Sequence, residues 1–252
     1  MIDGSVENMS DLNTEELYQK GMEMWEMSDQ IRKSDRINLS ESRKQMVFYE
    51  KQAVECWQQA AEQGYAKAQY QLGHYYYNYG RNSNKNKKAF EWYSKAAEQG
   101  YAPAQYELGF LYGYGLGVLQ NYKMSCYWYE KAAEGGMAAA ADILGDRYSQ
   151  GKSRNYKKAI HWYTRALELG MRSSTEHKIG WCYEKLGDFG HAVEWYIRGA
   201  EKGIGDTAYH LAELYETGAG VPKDLEKAIK WYQVSSKLGF PAADLWLKEN
   251  GF

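Results

Sequence analysis

Apolar residues recur along most of this chain at spacings of three, four and seven, the period that gathers them on one face of a helix. A repeated pair punctuates the pattern: Trp92-Tyr93, Trp128-Tyr129, Trp162-Tyr163, Trp195-Tyr196 and Trp231-Tyr232, at steps of 33 to 36 residues. A glycine stands eight residues after each tryptophan, at Gly100, Gly136, Gly170, Gly203 and Gly239. A small residue stands three before it, at Ala89, Ser125, Ala159, Ala192 and Ala228. Counting back from Gly64 puts Cys56 in the tryptophan slot of a sixth copy, with Ala53 as its small residue. A second series runs between these sites: Leu72-Gly73, Leu108-Gly109, Leu144-Gly145, Ile179-Gly180 and Leu211-Ala212, followed by Tyr76, Tyr112, Tyr148, Tyr183 and Tyr215. Each unit therefore holds two helical segments of roughly 13 residues, A then B, whose small residues allow close approach beside the aromatic side chains.

The boundaries fit the same register. Asn121, Asn155, Asp188 and Asp224 each stand seven before a repeat tryptophan and are good N-caps, so helix B is expected to start just after them. The glycines closing helix B are expected in a left-handed conformation, and Pro103 and Pro241 in the first turn of helix A. One helix pair cannot bury its own apolar face, so successive units must stack. The expected fold is all-α: a right-handed α-solenoid of about six antiparallel two-helix repeats with a C-terminal capping helix. Its layout is a flexible N-terminus at 1–13, then a single repeat domain at 14–252. Within it the units are an irregular first one at 14–64, then 65–100, 101–136, 137–170, 171–203 and 204–239, and a cap at 240–252 that covers the last apolar face with Leu245 and Trp246. A polar stretch from Ser28 to Glu41 is expected to separate the first A and B helices. RNSNKNKK, from Arg81 to Lys88, reads as a mobile polar loop.

Composition narrows the function classes. The 252 residues include only 3 prolines but 9 tryptophans and 24 tyrosines, and the formal net charge is −2. No global field recruits nucleic acid or an anionic membrane. No apolar run is long enough to span a bilayer. The opening MIDGSVENMSDLNTEEL is polar and acidic, unlike a secretory signal. Three cysteines, Cys56, Cys126 and Cys182, form no CxxC pair and fit buried thiols in a reducing compartment, so a cytoplasmic location is expected.

AFEWYSKAAEQGYAPAQYELGFLYGYG and ETGAGVPKDLEKAIKWY resemble the signature of the Sel-one-like repeat (SLR) family, a relative of the tetratricopeptide repeat. The resemblance runs from about Gly64 to the C-terminus and rests on core residues, so it speaks to fold more than to function. It implies that helix A lines an inner groove, with groove positions two before the Leu of the Leu-Gly pair and one and four after the Gly. On this chain those positions give Tyr70, His74 and Tyr77; Tyr106, Phe110 and Gly113; Asp142, Asp146 and Ser149; His177, Trp181 and Glu184; Tyr209, Glu213 and Glu216. A weaker alignment adds Tyr18, Met22 and Trp25. The N-terminal part of this set is aromatic and the C-terminal part acidic, which suits a partner with an apolar anchor and a basic segment. Aromatic clusters on an exposed face suggest a binding surface. The plainer readings stand beside this one: the aromatics pack against neighbouring helices, and the acids form an ordinary solvated face.

Catalytic and cofactor patterns are absent. His74, His161, His177, His191 and His210 occupy no metal-binding spacing, and neither GxSxG nor GxxxxGK[ST] occurs. Gly113, Gly115 and Gly117 in GYGLGV follow a helical segment rather than a strand, so they read as an A-to-B turn and not as a nucleotide loop. His177 and Cys182 are five apart and diverge on a helix. The secreted family members linked to β-lactam hydrolysis have regularly paired cysteines, which this chain lacks. The only dense basic cluster is Lys85, Lys87 and Lys88, which argues against a nucleic-acid track. The expectation is a non-catalytic adaptor without cofactor or metal that holds a protein or peptide in the helix A groove, with an inhibitor or immunity-type role as one form of it. The alternative is a hydrolase-like enzyme using groove carboxylates such as Asp142 and Asp146.

Overall fold

A computed structural model describes residues 12–33, 39–80, 83–151, 154–171 and 174–252; most of the flexible N-terminal stretch expected at 1–13 lies outside them. The described residues form thirteen α-helices and no strand. They are α1 (Thr14–Lys33), α2 (Leu39–Glu62), α3 (Ala66–Tyr79), α4 (Lys85–Glu98), α5 (Ala102–Tyr114), α6 (Tyr122–Glu134), α7 (Ala138–Ser149), α8 (Tyr156–Glu168), α9 (Thr175–Lys185), α10 (Phe189–Glu201), α11 (Gly205–Thr217), α12 (Leu225–Lys237) and α13 (Pro241–Glu249). Odd-numbered helices up to α11 are the A helices and even-numbered ones the B helices. The architecture is an all-α solenoid of tandem helix pairs, and it divides into two compact units, Met1–Gly135 and Gly136–Phe252.

Within each pair the helices meet at one recurrent contact. A glycine of helix A lies against the aromatic ring at the second position of the Trp-Tyr pair. A Cβ placed on Gly73 would stand 2.5 Å from the Tyr93 ring, one on Gly180 2.5 Å from Tyr196, and one on Gly109 3.0 Å from Tyr129. Gly145 meets Tyr163 in the same way. In the first pair, Trp57 takes the tyrosine slot and Gly21 the glycine slot, again at 2.5 Å. In the last, Ala212 and Tyr232 share one core cluster. These second-position rings are among the largest fully buried side chains, whereas the tryptophans beside them stay partly exposed. The small residues three before the tryptophan slots, Ala53, Ala89, Ser125, Ala159, Ala192 and Ala228, are all fully buried. Close approach, not side-chain bulk, is thus what the small residues contribute.

Helix ends follow from local chemistry. The side chains of Asn121, Asn155, Asp188 and Asp224 accept hydrogen bonds from the third backbone N–H that follows, and α6, α8, α10 and α12 start at the next residue. At the end of α4, Gly100 has φ +86, with Gly100 N–H donating to Ala97 O and Tyr101 N–H to Ala96 O, a Schellman closure that turns the chain directly into α5. The glycines at 64, 136, 170, 203 and 239 adopt the same left-handed φ. Between successive pairs in the first unit, the buried amides of Gln69 and Gln105 each donate to a carbonyl near the end of the preceding B helix, Ala61 O and Ala97 O, both at 3.1 Å. They satisfy carbonyls that a helix end leaves open.

Three expectations are corrected. The polar stretch beginning at Ser28 is not a linker at its start, because α1 continues to Lys33. Ser28 is fully buried, and Arg32 anchors this last turn through Glu50 of α2 at 2.6 Å while lying over the rings of Trp25 and Tyr79. Residues 34–38 lie outside the described set. Half of RNSNKNKK is also helical, since α4 begins at Lys85; Arg81 and Asn82 are not described. Its first turn has two supports: Lys88 Nζ sits 4.8 Å from the centre of the Tyr76 ring, and Gly117, from the turn that follows α5, packs on the backbone of Asn86 and Lys87. Finally, Leu245 is 57% exposed, and the cap uses Ala243 and Leu247 instead. These two stand four apart on one helical face, while Leu245 points elsewhere. Trp246 does cap, stacking on Tyr232 at 3.9 Å between ring centres.

The glycine contact predicts a contrast. Gly180→Ala, whose new methyl meets the buried Tyr196 ring, should lower stability by about 1–3 kcal/mol in urea or thermal unfolding. Gly190→Ala, whose Cβ would meet nothing closer than Asp188 Oδ1 at 3.9 Å, should leave stability unchanged or raise it by up to about 1 kcal/mol. Equal effects at the two sites would contradict the contact as the organising feature.

Candidate functional site

Helix A of each pair carries the expected groove residues, and the two units use them differently. In the first unit, Tyr70 (α3) and Tyr106 (α5) are half-buried and lean on the core rings of their own pairs, Tyr93 at 5.6 Å and Tyr129 at 5.5 Å. Tyr70 also packs on Tyr101 at 5.4 Å and lies 6.4 Å from His74. Burial, together with the nearby Glu107 charge, pushes the Tyr70 phenol up to about 12. Burial alone holds the His74 imidazole below its ordinary range, so it is neutral at pH 7. Tyr77, Phe110 and Tyr114 form a separate row. Tyr77 meets Phe110 edge-on at 6.2 Å, Phe110 meets Tyr114 at 4.6 Å, and Tyr114 is 66% exposed. Gly113 is buried within α5 and offers no side chain. Tyr18, Met22 and Trp25 pack against the first core cluster, with Trp25 5.6 Å from Trp57 and 5.0 Å from Tyr79.

In the second unit the acidic positions are engaged by the protein itself. Lys178 of α9 reaches back to α7 and places its ammonium 2.8 Å from Asp142 and 2.9 Å from Asp146. Burial works against that ammonium, but hydrogen bonds to the two aspartates outweigh it and raise its pKa. Asp146 also accepts a 2.7 Å hydrogen bond from the buried Tyr163 hydroxyl, which lies 3.2 Å from Ser149 Oγ. Glu216 accepts at 2.7 Å from Tyr232, and the Glu184 carboxylate neighbours the Tyr196 phenol. His177 and His210 stack at 4.9 Å beside the Tyr196 ring. His210 Nδ1 lies 2.8 Å from Glu213, and His177 Nδ1 3.4 Å from Asp206. Burial lowers the His177 pKa; for His210 burial is outweighed by Glu213, with Glu184 and Asp206, so its pKa is raised. Tyr209 packs on Tyr232 and Phe240, and Trp181 meets Tyr156 edge-on.

One residue of this face was missed by the reading of positions two before and one and four after the Leu-Gly pair. Glu107 stands one before Leu108 and is the only charged residue of α5. The equivalent residues of α9 and α11 are Lys178 and His210, the cations that compensate Asp142, Asp146 and Glu213. The alignment shows a carboxylate at a position that holds Gln71 in α3, Ile143 in α7 and a base only in α9 and α11. Glu107 is half-buried, its charge bears on Tyr70, Tyr93 and Tyr106, and it makes no hydrogen bond or ion pair among the described residues. Burial raises its pKa.

No group of three His, Cys, Asp or Glu able to hold a metal occurs among the described residues. Cys182, five residues from His177, is buried in the core, and burial pushes its thiol up to about 12, away from the reactive thiolate. No described helix is long and apolar enough to cross a membrane.

The Sel1 repeat profile matches residues 49–65, 66–101, 102–137, 138–171, 176–204 and 205–240. The chain belongs to the Sel1 repeat family. A Sel1 repeat protein from Oxalobacter formigenes is similar over 90% of this chain and 84% of its own, with 32% identity and a TM-score of 0.60. The protein c5321, described as a protective antigen of uropathogenic Escherichia coli with an SLR fold, is 29% identical over 96% of this chain, with a TM-score of 0.66. This chain spans 52% of c5321. YrrB, a tetratricopeptide repeat protein, shares the fold at 22% identity over 79% of this chain and a TM-score of 0.54. None of the curated proteins compared with the chain matches it. Sel1 and tetratricopeptide-type repeats are generally interaction scaffolds rather than catalysts.

The raised pKa of Glu107 has a defined pH signature. A carboxyl whose folded pKa lies above its unfolded value costs stability once ionised, and the cost shrinks as pH falls below the folded value and vanishes below the unfolded one. Glu107→Gln should therefore raise the Tm at pH 7.5 and lose that advantage near pH 4. A variant less stable than the parent at pH 7.5 would show that Glu107 already has a partner in the folded chain.

Proposed function

We propose that this Sel1 repeat protein is a non-catalytic adaptor that docks a protein or peptide segment on the helix A face of its first unit, with apolar side chains of the partner set against Tyr77, Phe110 and Tyr114. The row itself carries the proposal. Three rings, the first two edge to face and the last two tilted, running out to a 66% exposed Tyr114, present large rigid area at little cost in side-chain freedom. Tyr70 and Tyr106 lean on buried rings and contribute a firm floor rather than anchors. Stacked helix pairs favour a preformed surface, which avoids the ordering cost of binding.

The acids of the second unit support a docking role for a basic segment less well. Asp142 and Asp146 already share Lys178, and Glu216 and Glu213 accept from or pair with Tyr232 and His210. The same ties weigh against the hydrolase-like alternative. A general base needs a free lone pair beside a substrate site, and Asp146 is held by both Lys178 and Tyr163. An inhibitory, immunity-type action would use the same aromatic face, with the partner's own active surface as its occupant.

Co-purification from the source cell tests this reading. Wild-type protein should retain a stoichiometric partner that Tyr77→Ala/Phe110→Ala loses and Asp142→Asn/Asp146→Asn keeps. Binding that survives the aromatic double variant would reject the assignment, and a turnover abolished by Asp146→Asn would favour the enzyme.

A further inference from the structure

The helix A face of the second unit holds two histidines in direct contact. The imidazoles of His177 on α9 and His210 on α11 stack with ring centres 4.9 Å apart and 24° between their planes, so they join two A helices across α10. Tyr196 of α10, fully buried, lies beside both rings at 6.0 and 5.5 Å. The other charged and titratable groups at the pair come from the same two A helices. They are Lys178 and Glu184 on α9, and Asp206, Tyr209 and Glu213 on α11. Among the described residues, the flanking helices α8 and α12 place no ring or ion-pairing group against either imidazole.

The two rings are not equivalent. Glu213 lies 2.8 Å from His210 Nδ1 and holds a proton there. Asp206 stands farther from His177 Nδ1, at 3.4 Å, and His177 Nε2 is buried without a hydrogen-bond partner. Both nitrogens of an imidazolium donate. Charging His177 would therefore bury an Nε2–H with no acceptor, against a His210 ring that already carries a proton. Burial, with the charges of His210 and Lys178, accordingly outweighs Asp206 and lowers the His177 pKa, while Glu213 outweighs burial and raises that of His210. Protonation of His210 adds stability as pH falls toward about 6.5. Below that, the unfolded chain takes the His177 proton more readily than the folded one, and stability is lost until pH passes the folded value.

We propose that the His177–His210 stack is an acid-sensitive latch between α9 and α11, closed with one proton on His210 and opened when a second reaches His177. His177 and Glu184 on α9 and Tyr209 and Glu213 on α11 all belong to the helix A face. Opening the latch would therefore reshape that face of the second unit in acid. The latch stands apart from the docking role proposed for the first unit and does not need it.

NMR titration of the histidine ring protons in the intact chain tests the asymmetry without any substitution. The pair should titrate in two steps, the upper read mainly at His210 and the lower at His177. His210→Gln, which keeps a donor for Glu213, should raise the His177 midpoint by about one pH unit. A single common step, or a His177 midpoint unmoved by His210→Gln, would overturn the proposal. Amide hydrogen exchange, corrected for the intrinsic rate at each pH, tests the opening. From pH 7 to pH 5, protection across α9 and α11 should fall about tenfold or more in wild type but less than about threefold in His177→Gln, with α3 and α5 as internal reference. Wild-type protein that charges both rings with α9 and α11 still protected, or that loses protection equally in α3 and α5, would also overturn it.

Discussion

In every described helix pair but the last, where Ala212 sits beside Tyr232, an aromatic ring lies where a Cβ would otherwise be. Glycine inside a helix costs roughly 1 kcal/mol relative to alanine, yet Gly73, Gly109, Gly145 and Gly180 all occupy helix interiors, each against the ring of Tyr93, Tyr129, Tyr163 or Tyr196. The compensation is area: a fully buried tyrosine ring removes far more apolar surface from water than the missing methyl would. The interlock also sets the polarity of the opposite edge. A ring inserted beside the glycine carries its hydroxyl toward the residues one and four positions later on helix A. There Tyr163 meets Asp146 and Tyr232 meets Glu216. Core and exposed face are therefore joined through single side chains.

That linkage explains why the two units differ chemically while sharing one pattern. In the second unit, acids one or four residues after the small partner receive tyrosine hydroxyls, and Lys178 and His210 supply charge balance. Its acids are held by partners of the same unit, while His177 Nε2, Tyr196 OH and Asp206 Oδ1 are buried without a hydrogen-bond partner. In the first unit the same positions are His74, Tyr77, Phe110 and Gly113, so apolar rings replace the acids, and the charged position before Leu108 is reversed in sign. The exposed aromatic area of the helix A positions is thus concentrated in the Tyr77, Phe110 and Tyr114 row.

The repeat period, the N-caps at Asn121, Asn155, Asp188 and Asp224 and the left-handed glycines were legible because each rests on local chemistry recurring at a fixed distance. What was not legible depended on contacts from elsewhere in the fold. Ser28 to Lys33 is polar, yet helical, because Arg32 finds Glu50 on the next helix. Lys85 to Lys88 reads as a loop but is held by Tyr76 and by the backbone approach of Gly117. Leu245 and Leu247 are equally apolar in sequence, and only the phase of α13 decides which is buried. For the face itself, the residue positions could be read but not their partners: Asp142 and Asp146 on α7 are separated in sequence from Lys178 on α9 by the whole of α8.

A double-mutant cycle between Gly73 and Tyr93 is the most direct measure of the interlock. Gly73→Ala and Tyr93→Leu should each destabilise the chain, and the pair should cost less than their sum by about 1 kcal/mol or more, because the smaller side chain removes the clash that the new methyl creates. Losses that simply add would show that glycine and ring act independently, and would contradict the account of how these helix pairs are held.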